Sequence, residues 1–259
     1  MTSATGADLL EVGQVRLSFG GVAALDGADL SVRAGTITGL IGPNGAGKTT
    51  LFNCISGMLR PAAGRISFGG RSIAGKRPDA IAASGLARTF QIARGLPTLS
   101  VLDNLILYGA AQPGESLWRA LLRPPQVARR EAQLQDDAWA MLRRLEMEKV
   151  ANLPAGSLSG GQKKLVELGR AMMRRPRMVL LDEPAAGVNP GLAKRLVSHV
   201  LAWRDEGVTF LLIEHSMSLI AELCDHVVVM AEGKRLTEGS FDAVRADERV
   251  QAAYMGARG

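Results

Sequence analysis

A glycine-rich segment near residue 45 carries the residue types that hold phosphate groups. Gly42 and Gly47 are separated by four residues and followed by Lys48 and Thr49, which is the spacing of a phosphate-binding loop, or P-loop. The glycines let successive backbone N–H groups curl around phosphate oxygens, and a helix starting there adds its positive dipole end. We expect Lys48 to reach the β- and γ-phosphates of ATP and the Thr49 hydroxyl to hold Mg²⁺. The predicted nucleotide-binding residues are Gly42, Pro43, Asn44, Gly45, Ala46, Gly47, Lys48, Thr49 and Thr50.

Two adjacent acids end a second apolar segment. Met178 to Leu181 is a continuous apolar run, and Asp182 and Glu183 follow it directly. A carboxylate at the end of such a strand supports Mg²⁺ in nucleotide hydrolases, which is the role we predict for Asp182. Glu183 is then placed to orient and deprotonate the attacking water. An acidic pair in this position also occurs as a helix cap, and this second interpretation stays open for the pair taken alone.

The segment Leu158-Ser159-Gly160-Gly161-Gln162 predicts a second phosphate-binding surface. Ser159 can cap a helix that begins near Gln162, and the two glycines expose backbone donors at the positive end of that helix. One chain with two such surfaces makes sense if a partner related by a twofold axis supplies the second surface to each site.

The apolar pattern around these motifs predicts an α/β fold. Alternation over Leu9 to Phe19 and Ala28 to Val32 is typical of half-buried strands, and Gly69-Gly70 predicts a hairpin turn. The apolar runs Ile37 to Ile41 and Thr209 to Ile213 are typical of buried parallel strands, and helical patterns cover Lys48 to Met58 and Gly191 to Arg204. These elements predict a mainly parallel P-loop core with an antiparallel β layer beside it.

The stretch from Pro113 to Ala155 has a different pattern. Its apolar residues recur at three- and four-residue spacings between charges, and prolines interrupt it, which predicts an amphipathic helical insertion. We therefore expect a single composite domain over residues 8–257. Its α/β core would comprise about residues 8–100 and 156–257, and a helical subdomain about residues 101–155.

Composition excludes several classes of protein. With 259 residues, 47% hydrophobic and 22% charged, the chain matches the globular average and is neither disordered nor fibrous. Two cysteines cannot build a disulfide framework, and the first residues lack the apolar core of a signal peptide, so we expect a soluble intracellular protein. The net charge of +6 is spread singly between Arg60 and Arg94. That spread predicts no nucleic-acid partner, and it fits a solvated basic face or a phosphate-rich surface such as an anionic membrane leaflet.

Taken together, these motifs resemble those of the ATP-binding cassette (ABC) ATPases, in the family's order and over nearly the whole chain. The resemblance implies a P-loop ATPase core with an antiparallel β subdomain and a helical subdomain. It also implies that Phe19 stacks on adenine and that Gln91 is a catalytic residue and a Mg²⁺ ligand. In the same family, the equivalents of Ser159, Gly160, Gly161 and Gln162 contact ATP on the opposite subunit, and His215 resembles the histidine that senses the γ-phosphate.

Within this family the chain resembles the ATPase subunits of importers for branched-chain amino acids and related hydrophobic amides. The resemblance is carried by Arg88-Thr89-Phe90-Gln91, by Pro184 to Pro190, by Ile213-Glu214-His215 and by the tail Ala253-Tyr254-Met255-Gly256. Many ABC ATPases have Asp where this chain has Asn189, but Asn is usual in this branch. The tail departs at Met255, where the branch commonly has Leu.

The resemblance implies partners and a location. The partners are membrane-spanning permease subunits, a second ABC ATPase subunit that is either a paralogue or another copy of this chain, and a separate substrate-binding protein. The chain itself is expected to lie peripherally at the cytoplasmic face of the cell membrane. Other cargoes remain open at this point, namely urea, short amides or aromatic acids, as does a lipid or lipopolysaccharide exporter. An ABC ATPase acting on DNA or ribosomes is the remaining alternative.

Overall fold

The computed structural model describes residues 7–89, 96–109 and 125–256. They fall into two compact units. The first comprises the described residues within Met1–Arg88, Arg177–Ala185 and Val197–Gly259, and the second those within Thr89–Pro176 and Ala186–Leu196. The division into subdomains expected from the sequence stays a prediction.

Strands and helices alternate along most of the described chain. The strands are β1 (Asp8–Phe19), β2 (Val22–Arg33), β3 (Ile37–Ile41), β4 (Ala63–Phe68), β5 (Arg71–Ser72), β6 (Leu86–Arg88), β7 (Met178–Asp182), β8 (Thr209–Ile213), β9 (His226–Ala231) and β10 (Lys234–Gly239). The α-helices are α1 (Lys48–Ile55), α2 (Pro78–Ala83), α3 (Val101–Leu107), α4 (Pro125–Arg144), α5 (Gly160–Met172), α6 (Pro190–Asp205), α7 (Met217–Leu223), α8 (Phe241–Ala246) and α9 (Glu248–Gly256). Short 3-10 turns occupy Glu148–Val150 and Ala155–Ser157.

The first unit contains two sheets. One is antiparallel with the strand order β2-β1-β4-β5, and the other has the order β10-β9-β3-β8-β7-β6. In the larger sheet every pair is parallel except β10 with β9. All five residues of β3, β7 and β8 are buried, which explains why these strands are apolar without alternation.

The second unit is mainly helical in the residues described. Helix α3 packs against α4 and α5, and the buried residues of α4 lie at the helical spacing that the sequence predicted. Asn104 is buried at 1% exposure and organises the turn before α3. Its amide donates to the carbonyls of Leu96 and Ser100, and its Oδ1 accepts from the Leu96 N–H.

The predicted fold class is confirmed, while several element boundaries moved. Strand β2 begins at Val22, six residues before the predicted Ala28, and α1 ends at Ile55, three before the predicted Met58. Within Pro113 to Ala155 the long described helix is α4, Pro125–Arg144. In the described ranges no helix is both long enough and apolar enough to cross a membrane.

Candidate nucleotide-binding and catalytic site

The predicted catalytic residues of the first unit lie at the carboxyl ends of three neighbouring strands. Strand β8 lies between β3 and β7, and all three run parallel. The P-loop follows β3, Asp182 ends β7, and His215 comes two residues after the end of β8. In open α/β sheets such a crevice beyond the strand ends is where ligands bind.

The P-loop backbone is packed too tightly for side chains at two of its glycines. A Cβ on Gly42 would lie 2.1 Å from the carbonyl oxygen of Met230, and one on Gly47 would lie 2.5 Å from that of Ala24. Gly47 also has φ 94°, in the left-handed region, and is the N-cap of α1. The glycines that the sequence selected for phosphate binding are therefore also required by the fold.

Lys48 is folded back onto the loop that precedes it. Its Nζ donates to the carbonyl oxygens of Gly42 at 2.6 Å and Pro43 at 2.9 Å, and the residue is 7% exposed. Burial lowers the pKa of Lys48, and the negative charge of Glu183 acts in the opposite direction. The ammonium group is thus held at the mouth of the loop by two carbonyls.

Asp182 takes part in a buried ion pair. Its Oδ2 accepts from Nη2 of Arg88 at 3.0 Å, with side-chain exposures of 4% and 9%. Nη1 of the same guanidinium donates to Oδ1 of Asn53 at 2.7 Å and to Oγ of Ser56 at 2.8 Å. Sequence reasoning assigned no role to Arg88, which entered only as part of a family resemblance.

Glu183 and His215, 32 residues apart in the chain, are in contact. Nε2 of His215 lies 3.0 Å from Oε1 of Glu183. The backbone N–H of Glu183 donates to the carbonyl of Ile213 at 3.0 Å, and its φ of 48° lies in the left-handed region that non-glycine residues seldom adopt. Such strained positions cluster at functional sites because the surrounding structure must hold them in place.

Glu214 supports both segments of this contact. Its Oε1 accepts from the backbone N–H of Ala185 at 3.0 Å, and its Oε2 accepts from the backbone N–H of His215 at 3.1 Å. Glu214 is 5% exposed, so both carboxylate oxygens are used away from bulk water. Sequence reasoning missed this residue; an acid placed between a buried strand and the candidate histidine was the available signal.

The glycine pair of the second unit begins a well-capped helix. Oγ of Ser159 accepts from the Gln162 N–H at 3.3 Å, and the Gln162 side chain accepts from the Ser159 N–H at 3.0 Å, a reciprocal capping box. Gly160 is exposed and has no neighbouring atom within 4 Å of an ideal Cβ. Of the two glycines, Gly160 is thus exposed at the start of α5, whereas Gly161 is buried.

Of the remaining predicted residues, Phe19 lies at the turn between β1 and β2 and is 50% exposed. Its exposed ring is available to stack on a planar base. Gln91, predicted as a catalytic residue and metal ligand, lies outside the described residues.

Comparison with known proteins decides the family. The family model described as ABC transporter matches residues 25–186. The chain belongs to the ABC transporter family. A second model, described as branched-chain amino acid ATP-binding cassette transporter, matches residues 234–259.

Similar proteins cover this ABC transporter subunit almost from end to end. The probable branched-chain amino acid transport ATP-binding protein LivG of Methanocaldococcus jannaschii is 39% identical over 253 residues, 96% of this chain and 98% of the relative. The high-affinity branched-chain amino acid transport ATP-binding protein BraF of Pseudomonas aeruginosa is 37% identical over 249 residues, with the same shares of the two chains. A crystal structure of the ADP conformation of MJ1267, an ATP-binding cassette of an ABC transporter, aligns with a TM-score of 0.83 and 39% identity, covering 96% and 99% of the two chains.

Membership of this family gives the site its chemistry. An ABC ATPase binds ATP and hydrolyses it to ADP and phosphate, and the hydrolysis is coupled to transport across a membrane. Four of the predicted residues, Lys48, Asp182, Glu183 and His215, belong to the first unit, and Ser159 to Gln162 belong to the second.

Proposed function

We propose that this chain is the ATP-hydrolysing subunit of an importer for branched-chain amino acids. The observation that carries the cargo assignment is the match of residues 234–259 to the branched-chain amino acid cassette model. Relatives whose names specify branched-chain amino acid transport support it at 35–39% identity. The segment lies outside the general ABC transporter match, so it adds information on the branch.

In this proposal, ATP binds to the loop from Gly42 to Thr50. The backbone N–H groups of the loop and the N-terminus of α1 receive the phosphates. Lys48 exchanges the carbonyls of Gly42 and Pro43 for phosphate oxygens, which is favourable because a partly buried ammonium gains a full counter-charge. Phe19 supplies an exposed aromatic face for adenine.

The donor set on the chain fits Mg²⁺. The Asp182 carboxylate and the Thr49 hydroxyl are hard oxygen donors of the kind that Mg²⁺ prefers, and these two groups would hold it. No group of three or more His, Cys, Asp or Glu that could hold a metal alone occurs in the described part of the chain. This agrees with a metal that is bound together with the nucleotide, with Gln91 as a further ligand in the proposal. When bound, the metal neutralises charge on the β- and γ-phosphates.

Glu183 acts as the general base in the proposed reaction. Its carboxylate takes a proton from the water that attacks the γ-phosphate, and the contact of Oε1 with His215 fixes the direction of the carboxylate. In the proposal His215 contacts the γ-phosphate as well as the base and reports whether that phosphate is present. Glu214 holds the backbone on both sides of this pair.

A second ABC ATPase subunit completes each site in the proposal. Ser159, Gly160, Gly161 and Gln162 approach the γ-phosphate of ATP bound to the opposite subunit, where the exposed start of α5 offers backbone donors. Hydrolysis and phosphate release remove these contacts and reopen the dimer. Gln91 and the helices after it transmit this change to membrane-spanning permease subunits at the cytoplasmic face. A separate substrate-binding protein selects the cargo.

Two measurements test the proposal: which proteins bind the Glu183→Gln variant when it holds ATP, and which cargo those partners transport. Glu183→Gln should reduce turnover by about 10²- to 10⁴-fold, the usual weight of a general base, while ATP still binds. Tagged Glu183→Gln protein, recovered from native membranes with ATP and Mg²⁺, should bring down permease subunits and a second cassette. Vesicles that contain the parent chain with those partners, supplied with the substrate-binding protein, should take up leucine, isoleucine or valine only when ATP is present.

Three results would contradict the proposal at different levels. Near-normal turnover of Glu183→Gln would contradict the base assignment. Uptake of urea, short amides or aromatic acids in place of the branched-chain amino acids would contradict the cargo. Recovery of ribosomes or DNA without a membrane protein would contradict the transport partners.

A further inference from the structure

Arg88 joins the two elements that carry the proposed metal ligands. It is the last residue of β6, and its guanidinium makes three hydrogen bonds while its side chain is 9% exposed. One goes to Oδ2 of Asp182 at 3.0 Å, and the others go to Asn53 at 2.7 Å and Ser56 at 2.8 Å. The ring of Phe52 lies 5.8 Å from the guanidinium carbon.

Strand register explains why Arg88 reaches Asp182. Strands β6 and β7 are parallel, with Arg88 opposite Leu180. Because successive side chains alternate between the two faces of a strand, Leu180 and Asp182 point to the same face. The long side chain of Arg88 therefore reaches Asp182, which lies two residues beyond Leu180 on the same face of β7.

The other two bonds fix the helix that carries Thr49. Asn53 lies four residues after Thr49 on α1, and residues at this spacing share one face of a helix. Ser56 follows the last residue of that helix, and its Oγ in turn donates to the carbonyl of Phe52 at 2.8 Å. Arg88 thus binds the helix from the same side that presents the threonine hydroxyl.

We infer that Arg88 is a positioning residue for the metal-binding pair Asp182 and Thr49, through its bonds to Asp182 and to the Asn53 face of α1. The inference rests on the proposed nucleotide site and is independent of the cargo. A carboxylate with one oxygen bound to a fixed guanidinium presents its other oxygen in a fixed direction. A metal that needs near-ideal octahedral geometry gains most from such fixed ligands. The planar, forked guanidinium serves three acceptors in two directions, whereas a lysine ammonium on a flexible stem cannot keep this arrangement.

The test separates metal positioning from folding by measuring equilibrium binding of ATP without turnover. In the Glu183→Gln background, the dissociation constant of ATP is measured by calorimetry with EDTA and again with Mg²⁺. The ratio of the two constants gives the gain in affinity due to the metal. Variants Arg88→Met and Arg88→Lys are compared with Arg71→Met, an exposed arginine on β5.

We expect Arg88→Met to lower the Mg²⁺-dependent gain by about tenfold or more, the weight of one charge-assisted hydrogen bond. Affinity in EDTA should change by less than about threefold, because the P-loop contacts remain. Arg88→Lys should keep the fold and lose part of the gain, and Arg71→Met should match the parent protein. If Arg88→Met does not fold, the Arg88→Lys variant alone decides.

An unchanged Mg²⁺-dependent gain in a folded Arg88 variant would overturn the inference and leave Arg88 a structural role only. The same holds if affinity in EDTA falls as much as affinity in Mg²⁺, since the defect would then lie in the P-loop. A parent protein that binds no ATP in either buffer would instead contradict the proposed nucleotide site.

Discussion

Replacing Gly160 with alanine separates the stability of the chain from its proposed action on a partner's ATP. Gly160 is the first residue of α5, follows the N-cap Ser159 and does not have a positive φ. An added Cβ meets no atom within 4 Å. Since alanine is favoured over glycine in helices by about 0.5–1 kcal/mol, the free energy of unfolding should stay constant or rise by up to that amount. The melting temperature should therefore stay constant or rise by up to about 4 °C for a chain of this size.

ATP turnover should change in the opposite direction. In the proposed dimer the start of α5 closes on a γ-phosphate, and a methyl group added to a close contact typically costs about 1–3 kcal/mol. That cost corresponds to a fall in turnover of about 5- to 150-fold. Phosphate release at saturating ATP and Mg²⁺ measures turnover, and ATP-dependent dimerisation of the Glu183→Gln form, measured by sedimentation, should weaken in parallel.

Gly239→Ala provides the matched control. Its Cβ would lie 3.5 Å from the Cβ of Ala243, an ordinary contact, and Gly239 ends β10 away from every proposed site residue. Both turnover and stability should stay at the parent values. Normal turnover in Gly160→Ala would refute the argument that the glycine pair closes on nucleotide, and a clear loss of stability would refute the argument from open space.

Three further changes test individual contacts. Lys48→Ala should weaken ATP binding by about 10- to 100-fold, since charged hydrogen bonds contribute about 1.5–3 kcal/mol, and unchanged affinity in calorimetry would contradict the phosphate role. Glu214→Gln should lower the free energy of unfolding in urea by about 1–3 kcal/mol, because an amide has one acceptor oxygen for the two N–H donors of Ala185 and His215; an unchanged midpoint would contradict it. Burial raises the pKa of Cys54 to about 11 and that of Cys224 to about 12. Iodoacetamide at pH 8 should therefore alkylate native Cys54 about 100-fold and native Cys224 about 1,000-fold more slowly than the urea-unfolded thiols, measured by mass spectrometry. The corresponding stability is present below the unfolded thiol pKa of about 8.5 and is lost as pH rises towards 11, and equal labelling of native and unfolded chain would contradict the burial.

Two strands of the larger sheet, β3 and β8, were predicted from sequence to the residue, whereas β7 extends one residue beyond the predicted Leu181. Ile37–Ile41 and Thr209–Ile213 are buried on both faces, so their composition marks their length directly. The start of β2 was missed because Gly27, at φ 93°, interrupts the alternating pattern. Register passes from the pair Val15 and Ala28 to the pair Arg16 and Asp26, so Gly27 is the extra residue of a β-bulge.

The end of α1 was predicted too late because its stop signal was overlooked. Gly57 has φ 76°, its N–H donates to Cys54, and the Met58 N–H donates to the carbonyl of Asn53. This is the arrangement that ends many helices with a left-handed glycine. Ser56-Gly57 was visible in the sequence, so this boundary was available from turn chemistry.

Contacts within the site were less accessible from sequence than the residues that make them. Motif spacing selected Glu183 and His215 individually, but their 3.0 Å contact depends on β7 and β8 being neighbours in the sheet. Glu214 accepts hydrogen bonds from the backbone N–H groups of Ala185 and His215. Because almost every residue type carries a backbone N–H, a sequence motif cannot identify these partners. The partner of Arg88 can be identified only when the register of β6 against β7 is known.

The strand order brings together the residues that sense a single phosphate in the proposed mechanism. Because β8 lies between β3 and β7, the residues that follow it reach towards the P-loop on one side and Glu183 on the other. Each group follows a strand end, so in the proposal the loss of the γ-phosphate removes a partner from Lys48 and His215 together. Glu214 adds rigidity because it ties Ala185, beyond β7, to His215, beyond β8. A loosely held histidine could bind phosphate equally well, but its side chain would move with the phosphate. Its contacts in the ATP and ADP states would then be similar, and it could not distinguish the two states. The buried carboxylate of Glu214 is therefore a condition for the proposed switch, because it holds the backbone on both sides of the Glu183–His215 contact.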